Sequence, residues 1–135
     1  MKPISDDHRK RLLVELHRIL HASASEAVAK LGSSLPADVT YPPNGELGAS
    51  EEEALRLLKL DGPTRSGLTK VIADAIATTA FHFFCVMDAV GDPEDVVEEP
   101  WLRAELSEPD EEEHPMLHDA FFETYWDYKE ANTGE

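Results

Sequence analysis

Residues 66–90 read SGLTKVIADAIATTAFHFFCVMDAV and run straight into Gly91-Asp92-Pro93. This is the longest predominantly apolar run in the chain, and its reading decides the fold. At about 100° per residue, Leu68, Ile72, Ala75, Ile76, Thr79, Phe83, Val86, Met87 and Val90 fall on one broad face. Opposite them the first half is polar, through Lys70, Asp74 and Thr78. The second half is apolar there too, through Ala77, Phe81, Phe84 and Cys85. A helix apolar all round is ordinarily covered on several sides. Ala73, Ala75, Ala77 and Ala80 would let a partner helix come close, Gly91 can supply a left-handed cap, and Pro93 cannot continue the helix. The expectation is a buried central helix over 65–90. The competing reading is a membrane span. Lys70, Asp74, His82 and Asp88 interrupt the run, and charge in a bilayer core is costly, so the core-helix reading is preferred and no membrane association is expected.

Around this helix the sequence predicts an all-α domain spanning 1–135, a small bundle with a Pro-rich loop and an acidic loop. Ser5 is a suitable N-cap for a first helix over 5–31, with Asp6 and Asp7 at the positive end of its dipole. Its apolar stripe is Leu12, Leu13, Leu16, Ile19, Leu20, Ala27 and Leu31, and Gly32 ends it. Residues 33–49 read as a loop, with Leu35-Pro36 and Tyr41-Pro42-Pro43-Asn44-Gly45 as turn signals and Tyr41 and Leu47 to pin it down. Ser50-Glu51-Glu52-Glu53 is a capping box opening a short helix over 51–60. Beyond Pro93 the chain is acidic, with Trp101 and Leu102 expected to dock on the bundle and 108–113 expected to stay solvated. A last helix is predicted over 115–131, its inner stripe Leu117, Ala120, Phe121, Thr124, Tyr125 and Tyr128.

Charge bounds the function. The formal net charge is −16, and between Asp88 and Glu113 twelve acidic residues stand against Arg103 alone, so −11 of it lies there. Such a chain repels nucleic acid phosphates and anionic lipid, and neither is an expected partner. Cys85 is the only cysteine and cannot form an intramolecular disulfide. Met1-Lys2-Pro3-Ile4 leads into Asp6-Asp7 without an apolar signal core, so the expected compartment is the cytoplasm.

Candidate chemistry is sparse. His17 and His21 stand four apart on one helical face, a spacing that can hold a transition metal; His114 and His118 repeat it, and His82 lies mid-helix. A bundle joining three of these would suit a metal-dependent hydrolase or transferase. The bland reading is that His17 and His21 merely pack at the edge of a stripe and that Pro115 disturbs the second pair; no HExxH is present. Cys85, three residues after His82, reads as a small core residue, and His82 as a buried, hydrogen-bonded imidazole. Asp92, Glu94 and Asp95 around Pro93 could hold a divalent cation, but they lack the spacing of a calcium loop and read instead as a solvated acidic loop, which with Glu98 and Glu99 would suit a basic partner. Phe122 and Trp126, four apart, project off the inner stripe beside Asp119, Glu123 and Glu130, like the core and rim of an interface. Either they bind a partner, or the Pro-rich loop or the Trp101 segment covers them. Left uncovered, they could pair two copies in a weak homodimer.

TYPPNGEL at 40–47, FHFFCVMDAVGDPE at 81–94 and FFETYWDYKE at 121–130 resemble an uncharacterised bacterial family of unknown function, a likeness that implies no activity and assigns no residue. In charge and helical character the chain also resembles toxin-immunity proteins, which is analogy at the level of the fold alone. The expected function is that of a non-enzymatic acidic binding protein, of the inhibitor or immunity type, for a basic protein partner and without a cofactor. Its partner-binding candidates are Asp92, Glu94, Asp95, Glu98, Glu99, Phe122 and Trp126. The alternative is the metal-dependent helical bundle built on His17, His21, His82, His114 and His118.

Overall fold

The computed structural model describes residues 2–32, 39–90, 101, 103–108, 118 and 121–132. It is mostly helical, 67%, with almost no strand. Among the described residues four helices are formed: α1 (Asp6–Lys30), α2 (Ala49–Arg56), α3 (Gly62–Met87) and α4 (Thr124–Asn132).

The ends of these helices follow local chemistry. Ser5 caps α1, its Oγ accepting from the His8 N–H at 3.3 Å, with Asp6 and Asp7 in the first turn. The helix stops where Gly32 turns left-handed at φ +67, and the Gly32 N–H donates to the Leu55 carbonyl at 3.0 Å, tying α2 to the end of α1. α2 starts two residues before the expected position. The Glu51 carboxylate accepts from the Gly48 N–H at 2.9 Å, so Gly48 and not Ser50 is the N-cap, and the helix ends at Arg56 rather than at 60. Asp61-Gly62-Pro63 opens α3. The Asp61 carboxylate accepts from the Thr64 N–H at 2.8 Å, and Pro63 sits in the first turn, where its missing N–H leaves no bond unmade.

At its far end α3 stops short of the expected Gly91. Ala89 takes the left-handed position at φ 57, the Val90 N–H donates to the Cys85 carbonyl at 2.9 Å, and the Ala89 N–H to the Val86 carbonyl at 3.1 Å. This pair of bonds is the Schellman arrangement, closed by an alanine where glycine is usual. α4 is shorter than predicted. Its start at Thr124 follows a turn at Phe122–Glu123 that interrupts the expected helix; His118 and Phe121 before the turn are helical, while Leu117 and Ala120 lie outside the described residues.

α1 and α3 form an antiparallel hairpin, the one extensive packing between the described helices. The Arg65 guanidinium at the start of α3 donates to the Val28 carbonyl near the end of α1, at 3.4 Å. Leu20, Ala24 and Ala73 form the buried contact, with Ile72, Ile76 and Ala77 packed on it, and Val28 is buried higher on α1. Alanines at the crossing let the backbones approach, as the small-residue pattern suggested.

The buried central helix is corrected. On α3 only Ala73 is buried, while Val71, Phe81 and Phe83 are exposed. Apolar composition shows that a helix gains from being covered, but covering needs neighbours, and α1 is the only long one described. α2, with eight residues, and α4, with nine, are too short to wrap the remaining faces. By length and composition α3 would also pass as a membrane span.

A strap closes the end of the hairpin. The Trp101 indole N–H donates to the Val86 carbonyl at 2.9 Å, and the Ala104 N–H to the Met87 carbonyl at 3.1 Å. The chain then runs antiparallel to the segment before α1: Pro3 bridges Ser107, Ile4 N–H donates to the Leu106 carbonyl at 3.1 Å, and Glu108 N–H to the Lys2 carbonyl at 3.0 Å. Trp101 docks as expected, whereas Leu102 lies outside the described residues.

Candidate interaction site

Three aromatic side chains of the closing segment, Phe121, Phe122 and Tyr125, meet one from the Pro-rich loop, Tyr41, and Trp126 and Tyr128 join them through Tyr125. The turn at Phe122–Glu123 sets Phe121 and Phe122 edge to face, centroids 5.3 Å apart, and α4 continues the cluster with Tyr125, Trp126 and Tyr128. Tyr41 reaches in from the loop, 6.1 Å from Phe121, 6.3 Å from Phe122 and 5.4 Å from Tyr125. These separations suit attractive offset and edge-to-face ring contacts. The sequence reading placed Phe121 and Tyr128 on an inner stripe. Both are exposed, because no other described helix packs on α4, and only Tyr125 is half-buried. Phe122 and Trp126 keep 41% and 46% of their surface, so Tyr41 props the cluster from one side without covering it.

Carboxylates frame this platform. Glu123, Asp127 and Glu130 are exposed on the same short segment, and the Lys129 ammonium lies 5.6 Å from the centre of the Trp126 ring. A cation over an indole face is held by the ring quadrupole. The surface therefore combines aromatic faces that accept cations with acids that neutralise them.

Those of the other expected site residues that are described do not converge. His17 and His21 are exposed on α1, and His118 is exposed. His82 is also exposed, 5.9 Å from the Phe81 ring, which corrects its reading as a buried imidazole: it points away from α1. Cys85 is half-buried. His114 and the acidic residues Asp92, Glu94, Asp95, Glu98 and Glu99 lie outside the described residues. Among the described residues no three His, Cys, Asp or Glu side chains form a group that could hold a metal ion.

One titratable pair had no signal in the sequence. Glu108 accepts from the Ser5 N–H at 2.9 Å, and both its oxygens lie 3.0 Å from His8 Nδ1, one hundred positions away in the chain. The Ser5 N–H, and then His8, hold the Glu108 carboxyl below its ordinary range. Its side chain is 18% exposed, so it is a clasp and not the solvated acid expected. Under the strap is a cleft of about 380 Å³ with an apolar wall of Ile4, Leu12, Leu13, Phe84, Met87 and Leu106. Its two arginines are already matched, Arg9 to Asp6 and Arg103 to Glu105. Among the described residues no buried side-chain polar atom lacks a hydrogen-bond partner. The cleft thus presents neither a nucleophile nor an orphaned polar group.

No known protein family, curated protein or solved structure matches this chain.

Proposed function

We propose that the protein is a non-enzymatic binding protein of the cytoplasm, of the inhibitor or immunity type, that captures an Arg- and Lys-bearing segment of a basic protein partner on the aromatic platform. The observation that carries this reading is the exposed cluster of Tyr41, Phe121, Phe122, Trp126 and Tyr128 framed by Glu123, Asp127 and Glu130. Guanidinium groups stack on aromatic faces and pair with carboxylates, and aromatic residues dominate binding energy at interface centres. Charge distribution supports the same reading. α1 and α3 hold seven of the twelve basic residues and five of the twenty-eight acidic ones, a net +2, so −18 lies elsewhere in the chain. That imbalance would steer a basic partner toward the rest of the molecule and speed its arrival at low salt.

The test is titration of the full chain with an Arg/Lys-rich peptide and with a length-matched acidic peptide, following Trp emission and heat. Binding of the basic peptide alone, weakened by salt and by Trp126→Ala or Tyr41→Ala at least about tenfold, is expected. No binding of the basic peptide at low salt, or binding indifferent to both substitutions, would remove the proposal.

A further inference from the structure

We infer that the open face of the α1–α3 hairpin is the seat of a second copy of this chain, so that two hairpins close into a four-helix bundle. Taking Ala73 as the centre of the face of α3 that meets α1, Leu68, Ile72, Thr79, Phe83 and Val86 form a stripe along its flank. Taking Leu20 as the centre on α1, Leu12, Leu16 and Ile19 form the matching flank, with the small Ser23 one turn beyond them. Because the helices run antiparallel, these two flanks lie on one side of the hairpin. Phe83 remains 57% exposed and Ile19 47%, and Leu12, which also walls the cleft under the strap at the end of the hairpin, 44%.

The stripe on α3 carries no charge from Leu68 to Val86, while Lys70, Asp74 and Asp88 lie on the opposite flank. Its one polar group is satisfied internally, the Thr79 hydroxyl donating to the Ala75 carbonyl at 2.9 Å. Neighbours along the stripe stand three, four or seven residues apart, the spacing by which helices of a bundle interlock.

Size and charge choose the occupant. Helices of 25 and 26 residues at 1.5 Å per residue are about 38 Å long. Two of them side by side present a face about 20 Å wide. That is roughly 750 Å², close to the ~800 Å² per partner of a standard stable interface. A two-fold contact needs only one self-complementary patch. The hairpin is also the part of the chain that repels its own copy least, since it holds +2 while the remainder holds −18. A basic partner would meet weaker attraction here than anywhere else, and a bilayer would have to accommodate Lys70 and Asp74 on the helix it covers.

Sedimentation equilibrium of the full chain over nanomolar to high micromolar concentration, in low and high salt, tests the inference. A monomer–dimer equilibrium strengthened by salt is expected. Phe83→Glu and, separately, Ile19→Lys should each weaken it at least about 100-fold, with helix content by circular dichroism unchanged, while Trp126→Ala leaves it alone. A monomer at every concentration overturns the inference, as does a dimer indifferent to both face substitutions. Recruitment of monomeric protein to phosphatidylcholine vesicles, abolished by Phe83→Glu, would assign the face to lipid and likewise overturn it. Basic-peptide binding by monomeric Phe83→Glu would separate this outcome from the fate of the platform.

Discussion

Replacing Gly32 by alanine tests the junction on which the fold turns. Gly32 ends α1 in the left-handed region at φ +67, and a Cβ placed there would come 2.3 Å from the Leu58 carbonyl oxygen. An L-residue in that region costs about 1–2 kcal/mol. The clash is with backbone, so the end of α2 must shift, straining the Gly32 N–H bond to the Leu55 carbonyl; overpacking of this kind adds about 1–3 kcal/mol. The lower entropy of the unfolded alanine chain returns about 0.4–1 kcal/mol. The net loss is about 3 kcal/mol, and at roughly 2.1 cal/mol/K of unfolding entropy per residue the midpoint should fall by about 10 °C. Gly67→Ala is the control. It lies within α3 with nothing within 4 Å of the added carbon. Removing a helix-interior glycine should stabilise by about 0.5–1 kcal/mol and raise the midpoint by roughly 2–4 °C. Thermal melts followed at 222 nm give both. If Gly32→Ala melts with the wild type, or both substitutions move the midpoint the same way, the turn at the end of α1 has been misread.

Three further outcomes follow from the same geometry. Leu20→Ala removes the largest side chain of the hairpin contact and should cost about 2–3 kcal/mol, the lower part of the usual range because the open face lets neighbours collapse; a urea-unfolding loss under about 1 kcal/mol would place the core elsewhere. Ala89→Gly relieves the left-handed alanine closing α3 and should raise stability by about 1 kcal/mol in a thermal melt, and a fall would contradict the cap. The carboxyls of Glu15, Asp61 and Glu108 are held below their ordinary values by hydrogen bonds from Arg18, Thr64 and Ser5 respectively. Depressed carboxyl pKa values give stability that is complete above the ordinary 4.5 or 3.8 and is lost as pH falls through the folded values. Denaturant midpoints taken from pH 7 down to pH 3 should therefore drop at the acid end. Glu108→Gln should make that drop shallower, and an unchanged slope would mean the clasp to Ser5 and His8 does not form.

Local chemistry made much of this protein legible from sequence. Ser5 before two aspartates, Gly32 after an apolar stripe, and the 3.6-residue periodicity of both long helices are effects within a few neighbouring residues, and they placed α1 and α3 to within a few positions. Boundary errors came from competition between equally local options. Asp61-Gly62-Pro63 could close one helix or open another, and the Asp61 bond to the Thr64 N–H settles it as an opening. Ala89 takes the left-handed cap ahead of Gly91 because the Val90 N–H already finds the Cys85 carbonyl.

What tertiary structure alone decided is which apolar surface is covered. Periodicity marks a face as apolar, but burial depends on how many elements lie near enough to pack, and that number is a property of the assembled chain. α3 therefore read as a buried core helix although, among the described residues, a single long neighbour lies against it. The clasp of His8 on Glu108 and the meeting of Tyr41 with Phe121, Phe122 and Tyr125 are likewise products of the third dimension. Each joins residues eighty or more positions apart, over which no periodicity or spacing in a single sequence carries information.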